Sequence, residues 1–355
     1  MMVDTVNWGI LGTGYAARQF VVGLQSVPGS SLVAVGSRSV EHAGQFAREF
    51  GGARAYGSYT ELVEAPDVDI VFIGTPNSRH KEDCLLALQA GKAIVCEKPF
   101  AVNAQEALEV INLARQKNLF CMEGMWTRFM PVMPAVRQLI AEGTVGEVSM
   151  LTAVLGHRID FDPAHRLYDP ALAGGALLDL GVYTISLATF LLGSSATLAA
   201  SEAEIGTTGV DEQCALILSF PGACTAMLGA TIRAWPCSEL TVVGSQGSIR
   251  IHAPLYRPEH ISVARNSGEP VVPFSRLARY MKKFTRRPSA ESRAGFTTAY
   301  PVVGNGSNYQ AAEAAACVRS GRYESDIMPL ADTLKIMEIM DSARQQWGHE
   351  YPSEK

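Results

Sequence analysis

The stretch that decides the fold is VNWGILGTGYAA, Val6–Ala17. Its first half reads as a short buried strand, and GTGYAA fits the pattern G-x-G-x-x-A at the point where a helix would begin. In such a turn the first glycine allows the tight bend, the second lets the backbone meet a pyrophosphate, and the small residue packs helix on strand. A bare tight turn is the alternative. We expect the turn to bind a dinucleotide through Gly12, Thr13, Gly14, Tyr15 and Ala16.

From residue 6 to about 125 the chain continues this alternation of strand and helix. The strands read VNWGIL, SLVAVGS, VDIVFIG, AIVCEKP and LFCMEG, and helical periods lie near 17–27, 41–50, 81–90 and 104–117. Alternating strands and helices form a parallel sheet that is covered on both faces. The sequence therefore predicts an α/β protein in which residues 1–125 form a Rossmann dinucleotide-binding domain.

After residue 125 the pattern changes. A helix near 134–141 leads to the strand VSMLTAVLG, and a long apolar helix follows at about 172–192. From about 197 to 263 the chain reads as consecutive strands with period-two alternation and turn pairs such as Pro221-Gly222. We expect residues 126–355 to form an α+β domain with a mostly antiparallel open sheet. Segment 265–305 is polar and irregular, and two final helices, near 309–320 and 330–346, can return to the N-terminal domain.

The end of the second strand indicates which dinucleotide binds. An NAD site usually has an acidic residue here, which accepts hydrogen bonds from the adenine ribose. This chain has Ser37 and Arg38 instead. A hydroxyl and a guanidinium can bind a 2′-phosphate, so the sequence favours NADP, with NAD still possible. The alternative is that Arg38 is an ordinary exposed residue.

Polar residues follow the fourth and fifth strands, in IGTPNSRH and CEKP. In open parallel sheets ligands bind at the carboxyl edge, where both segments lie. We therefore expect Lys98 to point toward the nicotinamide; a surface lysine is the alternative. His80 can contact the nicotinamide ribose or the substrate, or it can cap a helix. The cofactor contacts expected at this edge are Thr75, Asn77, His80, Glu97 and Lys98.

The apolar helix contains the unusual run GGALLDLGVY, Gly174–Tyr183. An ionised carboxylate among apolar residues must be paired or functional, and Asp179 and Tyr183 share one helix face at i and i+4. If that face borders Lys98, the ammonium would lower the phenol pKa from about 10, and the tyrosine becomes a credible acid–base group. The paired glycines would let the helix start approach the cofactor closely.

Taken together, these motifs resemble the glucose-fructose oxidoreductase, inositol dehydrogenase and MocA family. The marks are the N-terminal dinucleotide fold, the EKP lysine and the G-G-x-x-x-D-x-G-[HY] helix. MEGMWTRFMP (122–131), GGALLDLGVY and the ending MPL…YP resemble the dimeric dihydrodiol dehydrogenase and NADP-dependent D-xylose dehydrogenase branch. The likeness covers most of the chain and is weakest at 265–305.

The resemblance implies a role for each of the three polar residues of the predicted centre. Lys98 would contact the substrate hydroxyl or donate a proton, Asp179 would hold the substrate or the lysine, and Tyr183 would be the general acid/base. Many relatives carry His where this chain has Tyr183, and the tyrosine favours the dihydrodiol and xylose branch.

Further candidates follow from position. Trp126 and Arg128 would line the nicotinamide pocket, with a structural aromatic and a surface arginine as the alternative. Arg166, upstream of the paired glycines, can anchor a substrate hydroxyl or the cofactor. Asn308 and Tyr309 can reach the cleft from the C-terminal domain. The expected substrate contacts are Lys98, Arg166, Asp179 and Tyr183.

Composition excludes several other classes of protein. The net charge of −5 disfavours nucleic acid or an anionic membrane as partner, and no window reaches about 18 apolar residues. The seven cysteines form no CxxC pair, and the histidines form no cluster, so we expect reduced thiols and no metal. A cytoplasmic location is the default, and the apolar outer face of the predicted sheet indicates a homodimer.

We therefore expect an NADP-dependent dehydrogenase or reductase that transfers a hydride between the nicotinamide and a carbinol carbon of a sugar, polyol or trans-dihydrodiol. A keto-sugar reductase or an inositol dehydrogenase of the same family is the alternative within enzymes. A non-catalytic dinucleotide-sensing regulator is the alternative of another class, since fold alone does not establish catalysis.

Overall fold

The computed structural model describes residues 5–265 and 295–354. Most of the 265–305 segment, including the basic residues of its centre, lies outside this range. The N-terminal half follows the predicted alternation, with β1 Val6–Leu11, α1 Tyr15–Leu24, β2 Ser30–Gly36, α2 Val40–Glu49, β3 Arg54–Tyr56, α3 Tyr59–Val63, β4 Ile70–Ile73, α4 His80–Gln89, β5 Ala93–Glu97, α5 Ala104–Lys117 and β6 Cys121–Gly124.

The first six strands form one parallel sheet in the order β3-β2-β1-β4-β5-β6. The order reverses beside β1, so the carboxyl ends of β1, β2, β4 and β5 surround one crevice. β4 is buried along its whole length, as expected of a strand covered on both faces. This confirms the predicted Rossmann sheet. β3 and α3 were not predicted, because β3 has only three residues and α3 is a helix of only five residues, which is too short to show an apolar face.

The second half holds α6 Val132–Ala141, β7 Val148–Gly156, α7 Val182–Leu192, β8 Thr197–Ile205, β9 Asp211–Phe220, β10 Cys224–Thr231, β11 Leu240–Gly244, β12 Gly247–Ile251, β13 His260–Arg265, β14 Gly295–Ala299, α8 Ser307–Ser320 and α9 Leu330–Trp347. Its eight strands form a sheet in the order β14-β13-β12-β11-β7-β10-β9-β8. Only β7 and β10 pair in parallel among these strands, which confirms a mostly antiparallel sheet.

The last two helices pack on the N-terminal half. α8 lies against α1, where a Cβ added at Gly23 would stand 2.6 Å from the backbone nitrogen of Asn308. α9 lies against α5, and Asp341 accepts a hydrogen bond from the first N–H of that helix, at Ala104, over 2.8 Å. Tyr309 accepts a bond from the N–H of Val303. Asn308 and Tyr309 therefore take part in these contacts, and neither is among the residues that line the cleft described below.

The apolar helix differs from its prediction. A 3-10 turn, Pro170–Leu172, comes first, and a π-helical turn, Leu177–Gly181, then runs into α7. By length and a hydropathy of 1.7, Pro170–Leu192 passes the test for a membrane span, contrary to the expectation from sequence, yet 94% of the apolar window is buried inside the protein. It is a core helix here, and α7 packs against β7 and β10 of the second sheet and against α9.

Candidate active site

A cleft of about 730 Å³ runs along the carboxyl edge of the parallel sheet. Most of the predicted contacts line it, and the sequence analysis missed several others, namely Ser39, His42, Tyr59, Gly74, Pro76 and Leu172. The predicted residues in its wall are Gly12, Thr13, Gly14, Tyr15, Ala16, Ser37, Arg38, Thr75, Asn77, Glu97, Lys98, Arg166 and Asp179.

The glycine turn has the shape that a pyrophosphate requires. Gly12 has φ +90°, and a Cβ there would stand 2.7 Å from the carbonyl oxygen of Gly74. At Gly14 the nearest atom would be 4.0 Å away, so this side of the turn is open to a ligand. α1 has no side-chain cap and no acidic residue in its first turn, which leaves its N–H groups for an anion. The hydroxyl of Thr75 is buried without a partner in the same cleft. These residues fit a bound dinucleotide.

The far wall of the cleft holds an ion-pair cluster. The ammonium of Lys98 donates to the backbone oxygen of Asp179 over 2.8 Å and to its Oδ1 over 3.0 Å. Arg166 donates to the same Oδ1 over 3.1 Å. Burial by itself raises the pKa of Asp179, but the two cations hold it well below its usual range. Asp179 is therefore an ionised carboxylate that positions both cations.

Tyr183 lies beside this cluster and contacts Lys98 and Trp126. The Lys98 ammonium lies 4.9 Å from the centre of the phenol ring, over its face, and Trp126 Nε1 donates to the Tyr183 hydroxyl over 2.8 Å. Burial raises the pKa of Tyr183 to about 12, although Lys98 acts in the opposite direction. The prediction that Lys98 lowers the phenol pKa below 10 is therefore wrong for the free protein, because loss of hydration outweighs one neighbouring cation.

Burial and neighbouring charges also act in opposite directions on the pKa values of Lys98 and Glu97. Burial lowers the pKa of Lys98, but Asp179 and Tyr183 raise it, and the net pKa lies above its ordinary value. Burial raises the pKa of Glu97 to about 7, against the opposing effect of Lys98. In the free protein at neutral pH, both Lys98 and Tyr183 are thus protonated.

Two other predictions need correction. His80 is fully buried, and its ring nitrogens lie 2.7 Å and 2.9 Å from the carbonyl oxygens of Pro99 and Thr75, so it joins two loops under the cleft and does not reach a ligand. Arg128 is 1% exposed, and it binds Ser186, Thr189 and Asp332. Both are polar residues used to hold loops and helices together.

The paired glycines also have another purpose than the one predicted. A Cβ at Gly174 would stand 2.6 Å from the carbonyl oxygens of Arg166 and Leu167. Gly175 has φ +111°, and a Cβ there would stand 2.2 Å from Oδ1 of Asp211. The glycines let the helix start approach other protein segments rather than the cofactor.

A group of aromatic rings continues from Trp126, which contacts Tyr183. Trp126 lies 6.1 Å from the Tyr256 ring, and His157 lies 5.6 Å from Tyr256 and 5.5 Å from Trp235. Burial lowers the pKa of His157, and the charge of the Asp179 carboxylate acts in the opposite direction. The position of His157, directly after the end of β7, is the signal by which the sequence could have identified it.

A dinucleotide cleft that ends at a buried lysine, a carboxylate and a tyrosine defines a nicotinamide-dependent oxidoreductase acting on CH–OH groups. Residues 6–125 match the oxidoreductase family with an NAD-binding Rossmann fold, and residues 133–250 match the GFO/IDH/MocA C-terminal domain. The chain therefore belongs to the GFO/IDH/MocA family, as its motifs predicted. Among the described residues, no three His, Cys, Asp or Glu side chains form a metal-binding group.

Relatives and solved structures agree with this assignment. The chain is 34% identical to trans-1,2-dihydrobenzene-1,2-diol dehydrogenase of Bos taurus over 99% of both chains. It is also 34% identical to D-xylose 1-dehydrogenase (NADP(+)) of Hypocrea jecorina, over 98% of this chain and 93% of that one. A levoglucosan dehydrogenase with NADH and levoglucosan has a TM-score of 0.83 at 20% identity, covering 97% of this chain and 98% of that one. An aldose-aldose oxidoreductase of Caulobacter crescentus has a TM-score of 0.80 at 24% identity, with the same coverage. At these identities the two structures show the shared fold.

Proposed function

We propose that this protein uses NADP to interconvert an alcohol and its carbonyl, acting on a trans-dihydrodiol or on a sugar such as D-xylose. The observation that carries the proposal is that Lys98 and Asp179 form a buried ion pair in the wall of a dinucleotide cleft, with the Tyr183 ring directly beside the Lys98 ammonium. The relatives named for dihydrodiol and D-xylose oxidation support this substrate range.

The preference for NADP is supported by the end of β2. Ser37 and Arg38 line the cleft there, and among the described residues Arg38 forms no ion pair with an acidic side chain. An unpaired guanidinium remains available for a 2′-phosphate. His42 and Ser39 line the same part of the cleft and add polar groups to this subsite. The substitution Arg38→Asp should lower the ratio of kcat/KM for NADP⁺ over NAD⁺ by about 100-fold or more; an unchanged ratio would refute the preference.

The bound cofactor supplies or accepts the hydride at nicotinamide C4. Lys98 presents its ammonium to the substrate oxygen and stabilises negative charge that develops there. Asp179 holds Lys98 and Arg166 in place through a single carboxylate oxygen. The Tyr183 hydroxyl accepts a hydrogen bond from Trp126, so its own hydrogen is free to be donated. In reduction the phenol donates this proton to the carbonyl oxygen of the substrate. In oxidation the phenolate, formed by loss of this proton, accepts the proton of the alcohol.

Keto-sugar reduction and inositol oxidation use the same proton and hydride chemistry, so one panel of substrates tests these two activities together with the proposed one. NADPH formation or consumption at 340 nm is measured with a trans-dihydrodiol, D-xylose, D-glucose, myo-inositol and a keto-sugar. We expect turnover with a dihydrodiol or D-xylose. Tight NADP binding without turnover of any of these substrates would overturn the proposal and favour a dinucleotide-sensing regulator.

The assembly proposed with this function is a homodimer through the outer face of the C-terminal sheet. Met150, Val154, Ile217 and Met227 are each 38–43% exposed. The strand registers place them on one face, since Met227 pairs with Ile217 and Val154 lies opposite Gly229, two residues from Met227. A contiguous apolar face of this kind supports burial against a second copy. The cytoplasm is the proposed location, supported by seven free cysteines, six of them buried.

A further inference from the structure

The helix that bears Asp179 and Tyr183 begins without a cap from its own sequence. Ala176 precedes the π-helical turn and offers no side-chain acceptor. A carboxylate from another element takes this place: Asp211, the first residue of β9, accepts a hydrogen bond from the N–H of Leu177 over 2.6 Å. Asp211 is completely buried. A carboxyl oxygen at a helix N-terminus satisfies a free N–H group in either protonation state. Burial raises the pKa of Asp211 to about 7, so the contact with Leu177 acts as a hydrogen bond to a carboxyl group that is ionised only in part at neutral pH.

The backbone before this helix is shaped around the Asp211 carboxylate. Gly175 has a positive φ, and its missing Cβ leaves the space that Oδ1 of Asp211 occupies. One residue earlier, the carbonyl oxygen of Gly174 accepts from the hydroxyl of Tyr351 over 2.6 Å. Tyr351 is fully buried and belongs to the C-terminal tail that follows α9. Two side chains from distant parts of the chain thus hold residues 174–177.

This contact lies close in sequence to the reacting groups. Leu177 is two residues before Asp179, whose backbone oxygen and carboxylate both accept from Lys98. Tyr183 follows on the same continuous helix, under the Lys98 ammonium. A movement of the helix start would therefore change the Lys98–Asp179 pair and the placement of the phenol together. Misplacement of a catalytic group by about 1 Å can cost roughly 100-fold in rate.

We propose that Asp211 is a positioning residue of the active site, which holds the helix start and through it the Lys98–Asp179–Tyr183 cluster, with Tyr351 as its partner at Gly174. The proposal rests on the proposed activity. Asp211 does not touch Lys98 or Tyr183, and its effect passes through the backbone of residues 174–177.

The test compares Asp211→Ala and Asp211→Asn with wild type in kcat, KM, the pH profile of kcat and the NADPH Kd from fluorescence. We expect Asp211→Ala to lower kcat about 100-fold and to displace the alkaline limb of the pH profile, with the NADPH Kd within about 3-fold of wild type. Asp211→Asn keeps an oxygen that accepts from Leu177, so it should restore kcat to within about 10-fold of wild type.

A matched control separates positioning from stability. Glu324 accepts from the first N–H of α9, at Leu330, over 2.8 Å, and that helix contributes no residue to the cleft. Glu324→Ala should lower Tm, as loss of a cap does, and leave kcat and its pH profile unchanged. If Asp211→Ala behaves in the same way when it is assayed well below its Tm, its role is only structural and the proposal is overturned.

Tyr351→Phe keeps the test decisive if Asp211→Ala fails to fold. It removes one hydroxyl from the helix start and preserves the ring, and we expect kcat to fall about 10-fold with the same displacement of the pH profile. Wild-type kcat with an unshifted profile in Tyr351→Phe would then contradict the proposal. Absence of turnover by wild type itself would count against the proposed function instead.

Discussion

At the scale of single residues, Tyr183 shows how burial and charge compete. The phenol has a cation at 4.9 Å, which favours its ionised form, yet its pKa rises to about 12 because the ring is buried. Asp179 shows the opposite outcome, since two cations outweigh burial and keep its pKa low. The difference is the number and geometry of the partners: Asp179 receives direct hydrogen bonds from Lys98 and Arg166, whereas Tyr183 faces Lys98 through its ring.

This charge state predicts opposite pH dependence for the two directions of the reaction. Reduction uses the protonated phenol, whose pKa is about 12, and should be independent of the ionisation of Tyr183 over the whole range from pH 6 to 10. Oxidation requires that the phenol first lose its proton, so log kcat/KM should rise with pH with a slope near 1 below the pKa. Steady-state rates between pH 6 and 10 check this. A bell-shaped or falling profile for oxidation would show that Tyr183 is not the base.

The sequence identified Lys98, Asp179, Tyr183 and Arg166 as one group because strand-end positions and helix periodicity depend on local pattern. The same reasoning failed for His80 and Arg128, which are also polar residues that follow strands of the first sheet. Whether a polar side chain faces the cleft or a buried carbonyl is decided by tertiary packing: Arg128 finds its partners in segments that lie 58 to 204 residues away. No local pattern records such partners.

At the scale of elements, the catalytic helix depends on the shape of its start. The motif GGALLDLGVY was predicted as one α-helical face, and the structure has a π-helical turn at Leu177–Gly181. Lys98 nevertheless reaches both Asp179 and Tyr183. The glycines and Asp211 fit together sterically, which a sequence pattern does not reveal, because Asp211 lies on a different strand. Short elements such as β3, with three residues, and α3, with five, were missed because so few residues do not repeat a period often enough to be recognised.

Gly175→Ala should disturb this start more than a comparable glycine substitution elsewhere. At Gly175 an alanine would combine a φ of +111° with a Cβ 2.2 Å from Asp211, whereas at Gly193, with φ +98°, nothing lies within 4 Å of the Cβ. We expect Gly193→Ala to cost about 1 kcal/mol, as strain in φ alone does, and Gly175→Ala to cost at least about 2 kcal/mol more. Thermal unfolding measures both, and equal losses would contradict the steric account.

At the scale of the whole molecule, the stability of the fold should depend on pH through its buried carboxyl groups. Glu123 is fully buried, one oxygen accepts from the N–H of Phe100 over 3.2 Å, and burial raises its pKa to about 7. Because the folded pKa exceeds the unfolded value, the folded state binds more protons between pH 4.5 and 7. This contribution is complete below the unfolded pKa and is lost as pH rises through 7.

Glu123→Gln isolates that contribution, since the amide imitates the protonated acid. Relative to this variant, wild type should lose up to about 3 kcal/mol of unfolding free energy between pH 5 and pH 8. The comparison removes the opposite effect of His80, whose lowered pKa makes stability rise with pH and is common to both proteins. Scanning calorimetry at the two pH values provides the check, and a difference in Tm that does not change with pH would contradict the prediction.

The proposed dimer is also tested at this scale. Ile217→Lys places a charge in the apolar outer face of the sheet, and should convert a particle of twice the chain mass of 38.1 kDa into a monomer. Tyr323→Lys, at an exposed position outside that sheet, is the control and should leave the mass unchanged. Multi-angle light scattering distinguishes the outcomes; a wild-type monomer at micromolar concentration would count against the dimer.

The central claim is that the Lys98–Asp179–Tyr183 cluster carries out proton transfer during NADP-dependent hydride transfer. The most direct measurement is single-turnover formation of NADPH at 340 nm with the best substrate of the panel, in wild type and in Tyr183→Phe. The account predicts a rate at least about 100-fold lower in Tyr183→Phe with an unchanged Kd for NADP⁺. A wild-type rate in Tyr183→Phe would contradict it.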